Sequence, residues 1–362
     1  MKRILCILSS LDAGGAETFL MKVLRSVSPE EYQFDFVVSH AGGVYSNEVL
    51  ERGGRIYTVS PRKKNFFRAF RDIKRIVSKN KYRYVLKLGD SPVVSLDLLA
   101  ARMGGAKHLS FRSCNALTGL STKQKVINTV MRPFLNFIAD VRLAPSKNAA
   151  EFTFGKRYAR SKVYIIHNGV DLNLYHFYPC ERKDVRKEFG VDNKFVVGHV
   201  GRFRLQKNHQ YLLEIFKAIL QQRNDAVLLL VGVGELEEQI RARVAELGLQ
   251  DHVIFAGQRF DIPQVLSAMD VFVFPSFHEG MPNTVIEAQA TGLPCVIADT
   301  ITREADLTGL VHYLSLTDTP ECWAKKALSV VTNERKDTSS EFTEQGYNIH
   351  DVAKELVGLI FD

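Results

Sequence analysis

The 362-residue sequence is as informative for what it lacks as for what it contains. Its five cysteines (Cys6, Cys114, Cys180, Cys295, Cys322) are scattered and form no CxxC pair. That argues against a zinc framework and against a disulfide-stapled secreted domain, and leaves reduced thiols in a cytoplasmic protein as the expectation. No run of 18 or more uninterrupted apolar residues occurs, so no membrane-spanning helix is expected. The apolar run Ile4-Leu5-Cys6-Ile7-Leu8 stops at Ser9-Ser10 and meets Gly14-Gly15, which fits a first buried strand and a glycine turn rather than a signal peptide. Repeats and low-complexity segments are missing. Acidic residues are scarce in one half only. Residues 1–176 hold 29 Lys and Arg against 13 Asp and Glu, a balance of +16, whereas residues 177–362 hold 19 against 27, a balance of −8. Length and this asymmetry together point to two domains with different partners.

What is present is alternation. In the first half, apolar strand-like runs at 3–9, 34–39, 55–59, 84–88, 107–112, 141–145 and 163–166 are separated by helical patterns at 18–27, 47–52, 92–103 and 122–138, with Ser146 as a helix cap. The second half restarts with strands at 195–200, 226–231, 253–256, 271–274 and 294–298. Helices are expected there at 209–222, 235–247, 262–268, 283–290, 323–331 and 349–360. Such order gives an α/β protein with two Rossmann-like, doubly wound parallel sheets. The expected division is a first domain over 1–168, a linker over 169–192 with a short helix near 183–189, a second domain over 193–345 and a terminal helix over 346–362.

One segment, 61–84, carries ten basic residues and one acidic one. Phe66, Phe70, Ile73 and Val77 recur at helical spacing with Arg68, Arg71, Lys74 and Arg75 between them. A surface helix packed by its apolar stripe accounts for the pattern. Its basic face could also meet an anionic membrane. No nucleic-acid module accompanies it, so nucleic acid is not an expected partner.

The chemistry gathers at 270–294. Val271 to Phe274 reads as a buried strand, 275–282 as a turn, and Pro282-Asn283 as a helix start. Glu279 and Glu287 bracket that start with seven residues between them. A helix N-terminus attracts phosphate, and carboxylates accept hydrogen bonds from sugar hydroxyls, so the pairing suggests a nucleotide-sugar site. Arg202 and Lys207 follow the first strand of the second half, on the sheet edge where open parallel sheets bind ligands, and suit a diphosphate clamp. Gly232-Val233-Gly234 also follows a strand, but Glu237 stands where a dinucleotide fingerprint has its third glycine, so a tight turn is expected there.

Four motifs together resemble the retaining glycosyltransferases of family 4, with the GT-B fold, and especially bacterial capsule and exopolysaccharide members. They are Gly14-Gly15-Ala16-Glu17, Asn168-Gly169-Val170-Asp171, Gly201-Arg202 with Lys207-Asn208, and Glu279 to Glu287 followed by Ala288, Ala290, Gly292 and Pro294. The resemblance covers essentially the whole chain. It implies two domains with a cleft between them. It also implies a hexosyl transfer, with retained configuration, from a nucleotide sugar (UDP-sugar expected) to a carbohydrate acceptor, lipid-linked at the inner membrane face. Arg202, Lys207 and Glu279 would carry the chemistry. Gly15, Arg259, Gly280, Met281, Pro282, Asn283, Thr284 and Glu287 would complete the donor site. Many relatives carry a histidine on the acceptor side. Here the matching stretch reads Phe111-Arg112-Ser113-Cys114-Asn115, so Arg112 or Asn115 would line that side instead. No Asp-x-Asp occurs, and neither metal nor cofactor is expected. Rival readings of the same fold are a nucleotide-sugar epimerase and a nucleotide-sugar-binding subunit without turnover.

Overall fold

The computed structural model describes residues 1–12, 14–62, 64–114, 121–332 and 334–362. The chain divides into two compact units, residues 1–169 with 346–362, and residues 170–345.

The first unit alternates β1 (Lys2–Ile7), α1 (Gly15–Ser26), β2 (Tyr32–Val38), α2 (Ser46–Glu51), β3 (Ile56–Thr58), α3 (Phe66–Asn80) and β4 (Tyr84–Gly89). A 3₁₀ turn at Pro92–Ser95 leads into α4 (Leu96–Met103), then β5 (His108–Ser113), α5 (Thr122–Ile138), β6 (Val141–Ala144), α6 (Lys147–Phe154), α7 (Lys156–Ala159) and β7 (Tyr164–Ile165). The seven strands pair in parallel in the order β3-β2-β1-β4-β5-β6-β7. Side chains alternate across the sheet as the strand period of two requires. Ile4 and Cys6 enter one core and Leu5 and Ile7 the other. α3 sends Ile73 and Val77 into the second core and leaves Arg68, Arg71, Lys74 and Arg75 exposed. Asn65 caps it by accepting from the Arg68 N–H at 2.9 Å.

The second unit opens with α8 (Pro179–Glu188), followed by β8 (Phe195–Val200), a 3₁₀ turn (Leu205–Lys207), α9 (His209–Gln222), β9 (Ala226–Val231), α10 (Glu237–Glu246), β10 (Val253–Gly257) and α11 (Ile262–Ala268). Then come β11 (Val271–Phe274), α12 (Asn283–Ala290), β12 (Cys295–Ala298), β13 (Val311–Leu314), α13 (Pro320–Ser329) and α14 (Ser339–Glu344). Its six strands are parallel in the order β10-β9-β8-β11-β12-β13. β8, β9 and β11 are buried along their whole lengths, as strands covered on both faces are. The final helix, α15 (Ile349–Phe361), belongs to the first unit, packs on α1 and closes the core that holds Ile4 and Phe36.

The stretch 169–192 is not a loose linker. From α8, Arg182 donates to the carbonyls of Ser267 and Met269 (2.8 and 3.0 Å) and to Asp270 (2.5 Å), and Arg186 donates to Ala268 O (2.8 Å) and Asp270 (3.3 Å). These carbonyls end α11 and have no further helical partner, so guanidinium donors satisfy them and tie α8 into the second unit. Three smaller differences separate pattern from structure. α1 begins at Gly15, three residues before the helix start expected at residue 18. β13 is a strand where none was expected, and α14 occupies part of a polar stretch.

Candidate active site

In the second unit the strand order reverses between β8 and β11. The chain leaves β8 towards β9 and leaves β11 towards β12, which opens a crevice at their carboxyl ends. The 201–208 loop follows β8 there and the 275–282 turn follows β11. The loop is shaped by close backbone packing. Gly232 has φ +135°, and a Cβ on it would stand 2.2 Å from the Gly201 carbonyl oxygen. A Cβ on Gly234 would stand 2.5 Å from Phe203 O. The Gly232-Val233-Gly234 turn is therefore a close-packed support for the loop.

The loop and the turn are joined by hydrogen bonds. Gln206 O accepts from the Phe277 N–H at 2.9 Å, and the Gln206 side chain donates to His278 O at 2.8 Å. Lys207 Nζ lies 2.9 Å from Glu279 Oε1 and 4.4 Å from the centre of the Phe274 ring. The Lys207 and Glu279 side chains are 17% and 10% exposed, so their charges meet in a partly dry setting. Ser276 Oγ approaches the same Glu279 oxygen at 2.6 Å. Beneath the loop, His199 stacks on Phe274 and stands edge-on to His209, with 4.8 Å between the imidazole centres. Burial, and then the charge of Lys207, holds the His209 pKa down to about 4, and burial pushes His199 well below the usual imidazole range. Both rings stay neutral beside the lysine.

α12 starts beside Glu279. Pro282 occupies its N-cap position and supplies no side-chain cap. Met281 and Pro282 are buried, and Gly280, Asn283, Thr284 and Glu287 are half-buried around that end. Arg202 is exposed at the start of the cation loop. Lys207, Glu279, Gly280 to Thr284 and Glu287 thus gather at one sheet edge, with Arg202 at its rim. Arg259 follows β10, two strands from β8. Its guanidinium bonds Glu188 (2.5 and 3.0 Å) and Asp261 (2.8 and 2.6 Å). These carboxylates raise its pKa and fasten α8 to the start of α11.

The first unit has the same reversal between β1 and β4. Gly15 opens α1 there, exposed, with no atom where a Cβ would reach. The crevice holds ionisable groups, of which sequence patterns marked only Glu17. Lys87 is 5% exposed, donates to Ile7 O at 3.3 Å and lies 3.2 Å from Asp97, which also pairs with Arg62. Burial, and then the Arg62 charge, pulls its pKa down to about 7. Burial raises the pKa of both Asp90 and Glu17. Arg112 does not line this crevice. It is 1% exposed, donates to Ile166 O (3.1 Å) and Asn168 (2.7 Å), and lies 3.6 Å from the centre of the Phe19 ring. It ties β5 to the segment after β7. Asn115 lies outside the described residues.

Two doubly wound parallel-sheet units in one chain, one with a cation loop facing a carboxylate turn, define a protein of the GT-B fold class. Among solved structures, Anabaena HepE in complex with UDP and glucose superposes with a TM-score of 0.78 over 100% of both chains, at 20% identity. Family models for "Glycosyltransferase Family 4" and "Glycosyl transferases group 1" match residues 13–174 and 194–333. The protein named as glycosyltransferase EpsF in Bacillus subtilis is 30% identical over 100% of this chain and 96% of its own length. An Escherichia coli UDP-Gal:α-D-GlcNAc-diphosphoundecaprenol α-1,3-galactosyltransferase is 30% identical over 79% of this chain and 76% of its own. The chain belongs to glycosyltransferase family 4.

Proposed function

We propose that this glycosyltransferase moves a hexose from a UDP-sugar, with retention of anomeric configuration and without a metal, onto a lipid-linked saccharide in surface polysaccharide synthesis. The observation that carries this reading is the Lys207–Glu279 contact in the β8/β11 crevice beside the uncapped start of α12. Breaking the bond between sugar and diphosphate leaves negative charge on the leaving phosphate. Lys207, Arg202 and the α12 N-terminus are positive groups held at one edge before that charge appears. By the resemblance to the family, Glu287 serves the ribose hydroxyls and Glu279 the donor sugar, roles a carboxylate can fill because it accepts from hydroxyls. The donor and acceptor classes follow the HepE complex with UDP and glucose and the names of the relatives.

The membrane is the second part of the proposal. No helix among the described residues is long and apolar enough to cross one. α3 exposes Phe67 (83%) beside the basic row Arg68, Arg71, Lys74 and Arg75, an arrangement suited to resting on an anionic surface. Lys63, in the same basic segment, lies outside the described residues.

The test is to incubate purified protein with UDP-glucose or UDP-galactose and a GlcNAc-diphospholipid, following UDP release and the product anomer by NMR, with and without EDTA. An α-linked product at an EDTA-independent rate is expected. Free epimer without acceptor would instead mean an epimerase, and tight UDP binding without turnover a binding subunit. In vesicle sedimentation, reversing Lys64, Arg68 and Arg71 should weaken binding to anionic lipid. Equal wild-type binding to neutral and anionic vesicles would remove the membrane step.

A further inference from the structure

The two halves of the donor site meet at one buried hydroxyl. Ser276 is 0% exposed, and its Oγ lies 2.6 Å from Glu279 Oε1 and 2.9 Å from Gln206 O. Both neighbours accept hydrogen bonds and the hydroxyl carries one proton, so it donates to one of them at a time. Gln206 O already has the Phe277 N–H at 2.9 Å. The ionised carboxylate is the stronger acceptor. The proton therefore rests on Glu279, where it shares Oε1 with the Lys207 ammonium. The Ser276 backbone is itself held, because its carbonyl accepts from Thr300 Oγ1 at 3.1 Å. Glu279 Oε2 has no hydrogen bond among the described residues and remains for a ligand.

We infer that Ser276 is a positioning residue for sugar transfer: it pins Glu279 Oε1 from inside the protein, aims Oε2 at the donor sugar, and keeps the carboxylate in place when Lys207 turns to the diphosphate. The inference rests on the nucleotide-sugar reading of this site. A lysine has three N–H donors and one charge, and a developing phosphate anion competes with Glu279 for both. Without a second donor, Glu279 would follow the ammonium. Ser276 is that second donor, and it comes from the protein rather than the substrate. A merely structural role is weaker, because the Phe277 N–H and the Gln206 side chain already join loop and turn.

Four experiments test it. Ser276→Ala should lower kcat about tenfold, the value of one charge-assisted hydrogen bond, with donor KM changed less than threefold. Ser276→Thr, which keeps the hydroxyl, should recover most of the loss at an unchanged melting temperature. In a Glu279→Gln background the Ser276→Ala change should add less than twofold, because its route of action is gone. Carbodiimide labelling of Glu279, read by mass spectrometry, needs no turnover and should run at least threefold faster in Ser276→Ala. Unchanged labelling, unchanged kcat, or full additivity with Glu279→Gln each overturns the inference. If the wild-type protein transfers no sugar, the functional reading falls while labelling still decides whether Ser276 holds Glu279.

Discussion

Replacing Lys207 with methionine keeps most of the length of the side chain and removes its charge. Two effects should separate. In the transition state, one preorganised positive group disappears from the leaving diphosphate. Removing one such donor typically costs about 10²-fold to 10³-fold in kcat, or about 3 to 4 kcal/mol. In the resting protein, Glu279 loses the ammonium 2.9 Å away while its side chain stays only 10% exposed. An ionic partner missing from a partly buried carboxylate costs on the order of 1–3 kcal/mol of stability. Lys207→Met should therefore lower kcat about 10²-fold or more and lower the unfolding free energy in urea by on the order of 1–3 kcal/mol. Adding Glu279→Gln should restore most of the stability and none of the turnover, because the unpaired charge is then gone but the clamp is still missing. Arg202 is exposed at the rim. Arg202→Ala should leave stability unchanged and still cut turnover by about 10²-fold. A loss below threefold for Lys207→Met, with saturating donor, would refute the clamp.

Acid should weaken the second unit through His209. The unfolded chain has an ordinary imidazole near pH 6.5 and the folded one protonates only near 4, so between those values the unfolded state binds more protons and stability falls as pH falls, by about 3 kcal/mol at pH 4. His199 acts in the same direction. Urea titrations of His209→Leu should show a clearly shallower loss between pH 6.5 and 4.5, and an unchanged slope would contradict this. Gly232→Ala should lower stability by about 2 kcal/mol or more, since φ is +135° and the new carbon would stand 2.2 Å from Gly201 O. UDP affinity by calorimetry should fall with it, and a neutral result would mean the turn can shift. Asp270→Asn should cost about 3–5 kcal/mol, because it strips the counter-charge from Arg182 and from Arg186, which is 6% exposed. A loss under 1 kcal/mol would show that backbone carbonyls alone hold α8.

Parallel strands buried on both faces announce themselves, and the apolar runs of β8, β9 and β11 are legible for that reason. β13 sits at the sheet edge with His312, Tyr313 and Leu314 half-buried, so it has no continuous apolar run to find. Of α8 only the helical stretch near 183–189 was legible, not its start or its anchoring. Its anchoring is carried by arginine guanidinium groups, which read as solvated charge in any periodicity. Arg112 was misplaced in the same way, since a long polar side chain at a strand end gives no sign that it will fold back under Phe19. The charged members of the donor site were legible because strand ends and a helix start confine them to one edge. Ser276 was not, because a lone serine in a turn carries no spacing and its meaning comes only from what it touches. Lys87 and Asp90 share that difficulty.

The return of α15 to the first unit sets an order on making the protein. Ile349, Val352, Ala353, Leu356, Val357, Ile360 and Phe361 are buried against a core built by the opening residues of the chain. Seven such side chains contribute on the order of 10–20 kcal/mol as an upper figure, as much as the whole net stability of a typical domain. A growing chain therefore exposes the apolar face of α1 until residues 349–361 leave the ribosome. The second unit, continuous from 170 to 345, has no such wait. The unit that begins first is the one that finishes last.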